Sequence, residues 1–441
     1  MKLRRQNTSY FFKKIYPQKP SNNIAAWHTP VSLQAQISLR TCISARYPTA
    51  ILPFLRSFPG FAATLTPRLH HRMLGGMKTV CSFLLGLVLC SSMNTHAENF
   101  PAMGPIQRDS GFWLDGYWVW DPSVIKGDDG RYHLFASRWP KDITFHPGWM
   151  TNSEVIRAVA DAPEGPYEFK EVVLPARGVE YWDGRSTHNP TIRKHGDTYM
   201  LFYMGSTHPL GDAPRGERFE LTDPRCIAAR AGKRIGLATA ESLEGPWERF
   251  ERPILDVRPG TFYSFLVSNP APVVHADGSV LLVFKARRYE PDGTHGRMVF
   301  GVAKAPHYRG PYTVVVGEPI FDIRALGGEL EDPFVWQRPD GGYALIAKDM
   351  TGNISGERHA GIHALSEDGV EWRLAPQVKA WSREVTFDDG TAEVLGQFER
   401  PFILFENGRP AYLFGASGDG PGGFQNMTRT GIHVIPLKSG L

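Results

Sequence analysis

The sequence predicts an all-β fold, a five-bladed β-propeller, and three observations carry that expectation. A short phrase recurs five times: a polar residue, a proline, an apolar strand, a Gly-containing turn and a second apolar strand. Its copies open at Trp120-Asp121-Pro122, His188-Asn189-Pro190, Ser268-Asn269-Pro270, Glu331-Asp332-Pro333 and Glu399-Arg400-Pro401. The prolines stand 68, 80, 63 and 68 residues apart, room for a four-stranded antiparallel sheet with generous loops, and such self-similarity marks a repeat fold. A second punctuation follows four of the copies: Gly165-Pro166-Tyr167, Gly245-Pro246-Trp247, Gly310-Pro311-Tyr312 and Gly369-Val370-Glu371-Trp372.

Blade one shows how each unit is built. Pro122 to Lys126 is its first strand, and Gly127-Asp128-Asp129-Gly130 is a hairpin turn of the kind Asp-Gly favours. Tyr132 to Ser137 alternates apolar residues with a period of two. Val155 to Ala160 is the third strand, and a Pro/Gly turn leads to an outer strand near Phe169 to Leu174. The aromatic after each Gly-Pro is expected to pack between neighbouring blades. Blade five runs out at its third strand, Gly431 to Leu437, and an unpaired edge there would invite aggregation. Phe100 to Trp118 is the spare segment, expected against blade five or the blade-one seam, and the insertion His208 to Lys233 is expected over the pocket rim.

Composition divides the chain near residue 97. Met1 to Gly76 holds eleven Lys or Arg and no Asp or Glu, a composition ill suited to building a core. Residues 1–76 read as a non-native or disordered basic extension ahead of a start at Met77, with an organelle transit peptide as the alternative. Met77-Lys78, the apolar run Phe83 to Leu89 and Thr95-His96-Ala97 make residues 77–97 a secretory signal, whose apolar run is too short to span a bilayer. Residues 98–441 are then the propeller, periplasmic or secreted and without stable membrane insertion. They carry 37 Lys or Arg against 45 Asp or Glu, so the net charge of +4 for the whole chain conceals an acidic domain. It contains no basic stripe, zinc-finger spacing or P-loop, so no nucleic-acid partner is expected, and a monomer is. Cys226 is the one cysteine beyond residue 97; it reads as a buried or loop thiol, not a nucleophile.

The first strand of every propeller blade lines the central channel, so the residues before the five prolines converge on an axial pocket. Carboxylates stand there in blade one, as Asp121, and in blade four, as Glu331 with Asp332. The antiparallel second strand finishes at the same side, which brings Arg138, Trp139, Arg287, Arg288 and Lys348 to the pocket. Loops and stations around the ring add Arg185, His188, Asn189, Asn269, Glu329 and Arg400. Trp120 and Trp139 are the rings expected to contact a substrate. Six cations are thus expected near the pocket: Arg138, Arg185, Arg287, Arg288, Lys348 and Arg400. Some pair with Asp121, Glu331 and Asp349, and the excess would bind a carboxylated or sulfated substrate, because Arg matches oxyanions bidentately. His188 reads as a pocket ligand, as a histidine bound to a metal on the propeller axis, or as a residue that satisfies a loop carbonyl. No cofactor is required; a structural metal on the axis is compatible with the ring but is not expected.

In the register of all five motifs, across about residues 110 to 437, the chain resembles the five-bladed propeller glycoside hydrolases, family 43 and its relatives including family 117. The resemblance implies a glycosidase acting on a polysaccharide or oligosaccharide. It puts Asp121 in the place of the family's general base and Glu331 in that of its general acid. The family carries a further Asp before a proline to tune the acid; Asn189 and Asn269 stand at the corresponding stations. That leaves Asp332 or Glu329 for the role, although neighbours in a regular strand point to opposite faces. Glycoside hydrolysis needs a carboxylic acid to protonate the leaving oxygen and a carboxylate to activate water or attack the sugar. Carboxylates in blades one and four imply the inverting separation of about 6.5–9.5 Å. Two other readings stay open: a non-hydrolytic carbohydrate-binding propeller, to which the two Asn stations point, and a lyase or transferase on the same scaffold.

Overall fold

The computed structural model describes residues 99–321, 327–419, 424 and 427–438; the readings for residues 1–76 and 77–97 fall outside them. Two short strands, β1 (Ala102–Met103) and β2 (Phe112–Trp113), precede five antiparallel blades. Blade one is β3 (Tyr117–Lys126), β4 (Tyr132–Pro140), β5 (Glu154–Ala160) and β6 (Glu168–Leu174). Blade two is β7 (Ser186–His195), β8 (Thr198–Ser206), β9 (Arg234–Ala240) and β10 (Glu248–Arg249). Blade three is β11 (Leu266–Val274), β12 (Val280–Arg287), β13 (Val299–Ala305) and β14 (Thr313–Val314). Blade four is β15 (Leu330–Gln337), β16 (Tyr343–Asp349), β17 (Gly361–Ser366) and β18 (Arg373–Lys379). A small hairpin, β19 (Glu384–Thr386) with β20 (Ala392–Val394), leads to blade five, which is β21 (Gln397–Glu406), β22 (Arg409–Gly418) and β23 (Thr430–Lys438).

Blade five acquires its outer edge from the other end of the propeller. Ala102 lies opposite Lys438 and Phe112 opposite Ile432, so β1 and β2 both pair with β23. Backbone groups that would otherwise be left open are satisfied, and first and last segments are tied together. The aromatics after the Gly-Pro turns sit between blades as expected: Trp247 of blade two packs on Phe135 of blade one at 5.5 Å, and Tyr167 of blade one on Phe414 of blade five at 6.3 Å. The second strands are buried on both faces; in β8 every residue from Tyr199 to Ser206 is buried. Packing from two neighbouring blades explains their near-continuous apolar runs.

The first strands differ from expectation in one respect that matters for the site. Each begins three to five residues before its proline, so the motif lies inside the strand. There the pairing slips, between Trp120 and Ser123, His188 and Thr191, Ser268 and Ala271, Glu331 and Phe334, and Glu399 and Phe402. At the slip Asp121, Asn189, Asn269, Asp332 and Arg400 take φ between 51° and 59°. These are β-bulges, which re-aim side chains out of strict alternation. Left-handed backbone costs an L-residue about 1–2 kcal/mol, least for Asn and Asp, and four of the five positions are Asn or Asp. Two helices lie over the pocket side, α1 (Phe145–Asn152) and α2 (Pro224–Ala231), the latter within the His208 to Lys233 insertion and capped by Asp223 accepting from Arg225 N–H.

Candidate active site

The five bulge residues knit the floor of an axial cavity of about 340 Å³. Asn189 donates to Asp121 from its side-chain amide at 3.0 Å and its backbone N–H at 3.2 Å. Arg400 Nε reaches Asp121 at 3.1 Å, and its guanidinium reaches Asp332 at 3.4 Å. Asn269 closes the series by donating to Asp332 at 2.5 Å. One run of side chains, Asn189 to Asp121 to Arg400 to Asp332 to Asn269, therefore joins all five blades. His188 adds a bond from Nε2 to Asp121 at 2.9 Å, while its Nδ1 accepts from Ser153 Oγ at 2.8 Å. Burial would raise the Asp121 carboxyl, but His188, Arg400 and Ser137 overcome it and hold it well below the usual range. Burial, working against Asp121, lowers His188 and keeps it a neutral donor. Asp121 is wholly buried and its lone pairs are occupied.

The residues one position earlier in four of the motifs, Trp120, His188, Glu331 and Glu399, also line the cavity. Lys285 Nζ binds Glu331 Oε1 at 2.6 Å. Lys348 Nζ binds Glu331 Oε2 at 2.9 Å, Glu399 Oε1 at 2.9 Å and Asp332 Oδ2 at 3.3 Å. Both lysines sit on second strands at matching register, Lys285 opposite Ser268 and Lys348 opposite Glu331, and each reaches the glutamate of the following blade. The bulge thus gives Glu331 and Asp332 a common partner although they are neighbours, contrary to the simple alternation rule. Burial pushes Glu331 up, yet Lys285 and Lys348 carry it well below the ordinary value. Burial raises Glu399 to about 7 against Lys348, with Asp332 and Glu331 adding to the rise. Charge counting agrees: Asp121, Glu331, Asp332 and Glu399 face Lys285, Lys348 and Arg400, so one carboxyl lacks a cation. Glu399, whose single ionic partner among the described residues is shared three ways, is the one that keeps a proton.

The opposite wall is cationic and aromatic. Arg230 at the end of α2, Lys233 just after it and Arg287 at the end of β12 line the cavity, with Trp120, Trp139, Phe145, Trp149 and Phe424. Phe145 stacks on Trp139 at 5.4 Å and meets Trp120 edge-on at 5.2 Å, so both tryptophans are nearly buried and hold the wall more than they offer a free face. Trp149 stacks on His188 at 4.7 Å and carries the Lys233 ammonium 3.9 Å from its ring centre.

The cavity brings together Trp120, Asp121, Trp139, His188, Asn189, Asn269, Arg287, Glu331, Asp332, Lys348 and Arg400. Four expected residues lie elsewhere. Arg138 follows the alternation away from Trp139, binding Glu154 at 2.9 Å and stacking on Tyr117 and Phe169. Arg185 pairs with Asp212 and the Leu210 carbonyl. Arg288 points to Glu290 at 3.1 Å, beside a separate cavity. Glu329 accepts from the Met298 backbone at 2.6 Å and is not among the lining residues. Glu399, Lys285, Arg230, Lys233 and Trp149 join the site without having been expected there. Glu399 was legible, since Glu399-Arg400-Pro401 repeats the Glu331-Asp332-Pro333 pattern; Arg230 and Lys233 carry no motif and arrive through the insertion. Cys226 is buried, and burial raises its thiol to about 12, which makes it unreactive. Among the described residues no cluster of three or more His, Cys, Asp or Glu is arranged to hold a metal, and no helix is long and apolar enough to cross a membrane.

By architecture the chain is a five-bladed β-propeller with a charged axial cavity. Among solved structures it is similar to a family 117 glycoside hydrolase produced by the marine bacterium Zobellia galactanivorans. The TM-score is 0.52 at 16% identity, covering 78% of this chain and 92% of that one. It is also similar to BT0996, solved as a complex with RGII, with a TM-score of 0.57 at 14% identity and coverage of 79% and 95%. A thermostable family-43 glycoside hydrolase matches with a TM-score of 0.51 at 14% identity, covering 76% and 93%. Likeness at these identities is likeness of fold. No protein-family model matches the chain, and no curated protein matches it.

Proposed function

We propose that the axial cavity hydrolyses a glycosidic bond of a poly- or oligosaccharide, and that the domain works as a monomer in the periplasm or outside the cell. The observation that carries this reading is the pair of glutamates on one ammonium, with Glu331 held well below the ordinary value and Glu399 raised to about 7. Environments that push two carboxyls apart in this way define an acid and its ionised partner. Glu399 donates its proton to the departing oxygen. Glu331, with 18% of its side chain exposed and lone pairs free beside its two lysine contacts, faces the sugar. Asp121, the base by family resemblance, is the anchoring carboxylate here, because its acceptor sites are already filled. Sharing Lys348 limits the separation of one oxygen of Glu331 from one of Glu399 to twice 2.9 Å. Retention, which uses carboxyls about 5–5.5 Å apart, is the course proposed for this pair in place of the inversion expected for Asp121 with Glu331.

Glu331→Ala and Glu399→Gln are each expected to lower turnover of an unactivated oligosaccharide about 100-fold or more. Added azide is expected to restore Glu331→Ala by replacing the missing carboxylate and to leave Asp121→Ala inactive. Proton NMR of the first-formed sugar is expected to show the anomeric configuration of the substrate. Rescue of Asp121→Ala together with an inverted product would return the role to Asp121. Full activity of both glutamate variants would remove Glu331 and Glu399 from the catalytic roles, whereas no cleavage of any oligosaccharide by the wild type would favour a carbohydrate-binding propeller.

A further inference from the structure

The cations of the cavity fall into two groups with different counter-ions. Lys285, Lys348 and Arg400 are consumed by the carboxylate network. Arg230 and Lys233 have no carboxylate within ion-pair distance among the described residues, and Arg287 has Glu329 alone, at 3.7 Å. Lys233 is 3% exposed. Burial of an ammonium without a paired anion is costly, and like charges facing one cavity add to that cost. The consequences are visible in the neighbours. Burial first, then Lys285, Arg230 and Arg287, draws Lys233 well below an ordinary lysine, with Glu331 opposing. Burial, then Lys233 and Arg230, pushes His146 down to about 4. Burial and Arg287 lower Arg230. The Lys233 ammonium lies over the ring of Trp149, which is in turn fixed against His188, so it is held in place before any ligand arrives.

We infer that Arg230, Lys233 and Arg287 form a subsite for an oxyanion substituent of the sugar, a carboxylate or a sulfate, which supplies the counter-charge this wall lacks. The inference rests on the carbohydrate reading of the cavity and sharpens it to acidic saccharides. It also differs from the cation set expected from sequence, of which Arg287 alone belongs to this wall. An arriving oxyanion favours the charged ammonium, so binding draws a proton onto Lys233. The charged and titratable groups facing Lys233 are Arg230 and His146 from the helical segments, Lys285 and Arg287 from blade three and Glu331 from blade four.

Isothermal titration of the intact protein with galacturonate, glucuronate, galactose 6-sulfate, sodium sulfate and neutral galactose tests this without relying on turnover. The acidic ligands are expected to bind about tenfold or more tighter than galactose and to lose that advantage in Lys233→Met and in Arg287→Gln. Their heat is expected to vary with the ionisation enthalpy of the buffer in the wild type, through proton uptake, and not in Lys233→Met. Tighter binding of the uronates than of the sulfates assigns the substituent as a carboxylate, and the reverse order assigns it as a sulfate. Binding that is equal for acidic and neutral sugars, or unchanged in both variants, overturns the subsite. Oxyanion binding without cleavage of any acidic oligosaccharide would keep the subsite and discard the hydrolase reading; cleavage without charge preference would do the opposite.

Discussion

Arg400 is the residue type least suited to the left-handed backbone that the five stations share, here at a φ of 55°, and among the described residues it is the one that touches both Asp121 and Asp332. A long cationic side chain in that conformation is explained by what it holds apart and together: two buried carboxylates that would otherwise face the axis with one cation fewer. Removing one partner of a buried ion pair typically costs about 3–5 kcal/mol, because the remaining charge stays unpaired. Arg400→Met is therefore expected to lower the urea midpoint strongly, and Arg400→Met combined with Asp121→Asn to recover part of the loss. Additive losses in the double variant would show that the two residues are energetically independent. At this scale the sequence is informative about identity and less so about orientation. The stations Asp121, Asn189, Asn269, Asp332 and Arg400 are marked by their prolines. Their service as one another's ligands depends on bulges that no residue type announces, and the pocket chemistry sits one residue earlier than the proline rule implies.

The strand that completes blade five is supplied by Ala102–Met103 and Phe112–Trp113, and the need for it is readable from counting: too few residues follow Gly431 to Leu437 for an outer strand. Phe112 is 1% exposed and pairs with Ile432, while the Gly431 opposite Trp113 leaves room for that ring to lie flat on the strand; a Cβ on Gly431 would sit 2.3 Å from it. Phe112→Asp combines lost apolar burial with a buried unpaired charge, so a destabilisation of at least about 3 kcal/mol is expected. Chemical unfolding measures it, and light scattering on warming should detect the edge of β23 pairing between molecules. An unchanged midpoint would mean that the segment is an ornament of the ring and not its clasp. The second strands show the same limit of counting: Lys285 and Lys348 share one register position, yet the sequence points to Arg287 and Arg288 ahead of Lys285. Strand ends, rather than strand interiors, are what a map drawn from turns brings to the pocket.

For the molecule as a whole, the axis is where all five blades meet, so the protonation of one group there acts on the entire ring. Glu399 keeps its proton to about 7 in the native state, whereas an ordinary glutamate releases it near 4.5. Between these values the folded protein binds more protons than the unfolded chain. The contribution of Glu399 to stability then falls as pH rises through that window and levels off above it. Asp121 and Glu331 act in the other direction: their native values lie below the ordinary ones, so their contribution is present above those and is lost as pH falls through the native values. The buried histidines held below their ordinary values, His188 and His146 among them, oppose Glu399, because the unfolded chain binds their protons and their contribution grows as pH rises toward about 6.5; turnover declines on the alkaline side as the donor loses its proton. Thermal midpoints recorded from about pH 5 to about pH 8 isolate Glu399 as a difference: Glu399→Gln, whose neutral amide imitates the protonated acid, is expected to gain on the wild type as pH rises through that range. Because the amide cannot donate the proton, the same variant should be inactive on unactivated substrates while being the more stable protein above pH 7. A Glu399→Gln profile that parallels the wild type across this range would place the excess proton of the axial network on another carboxylate.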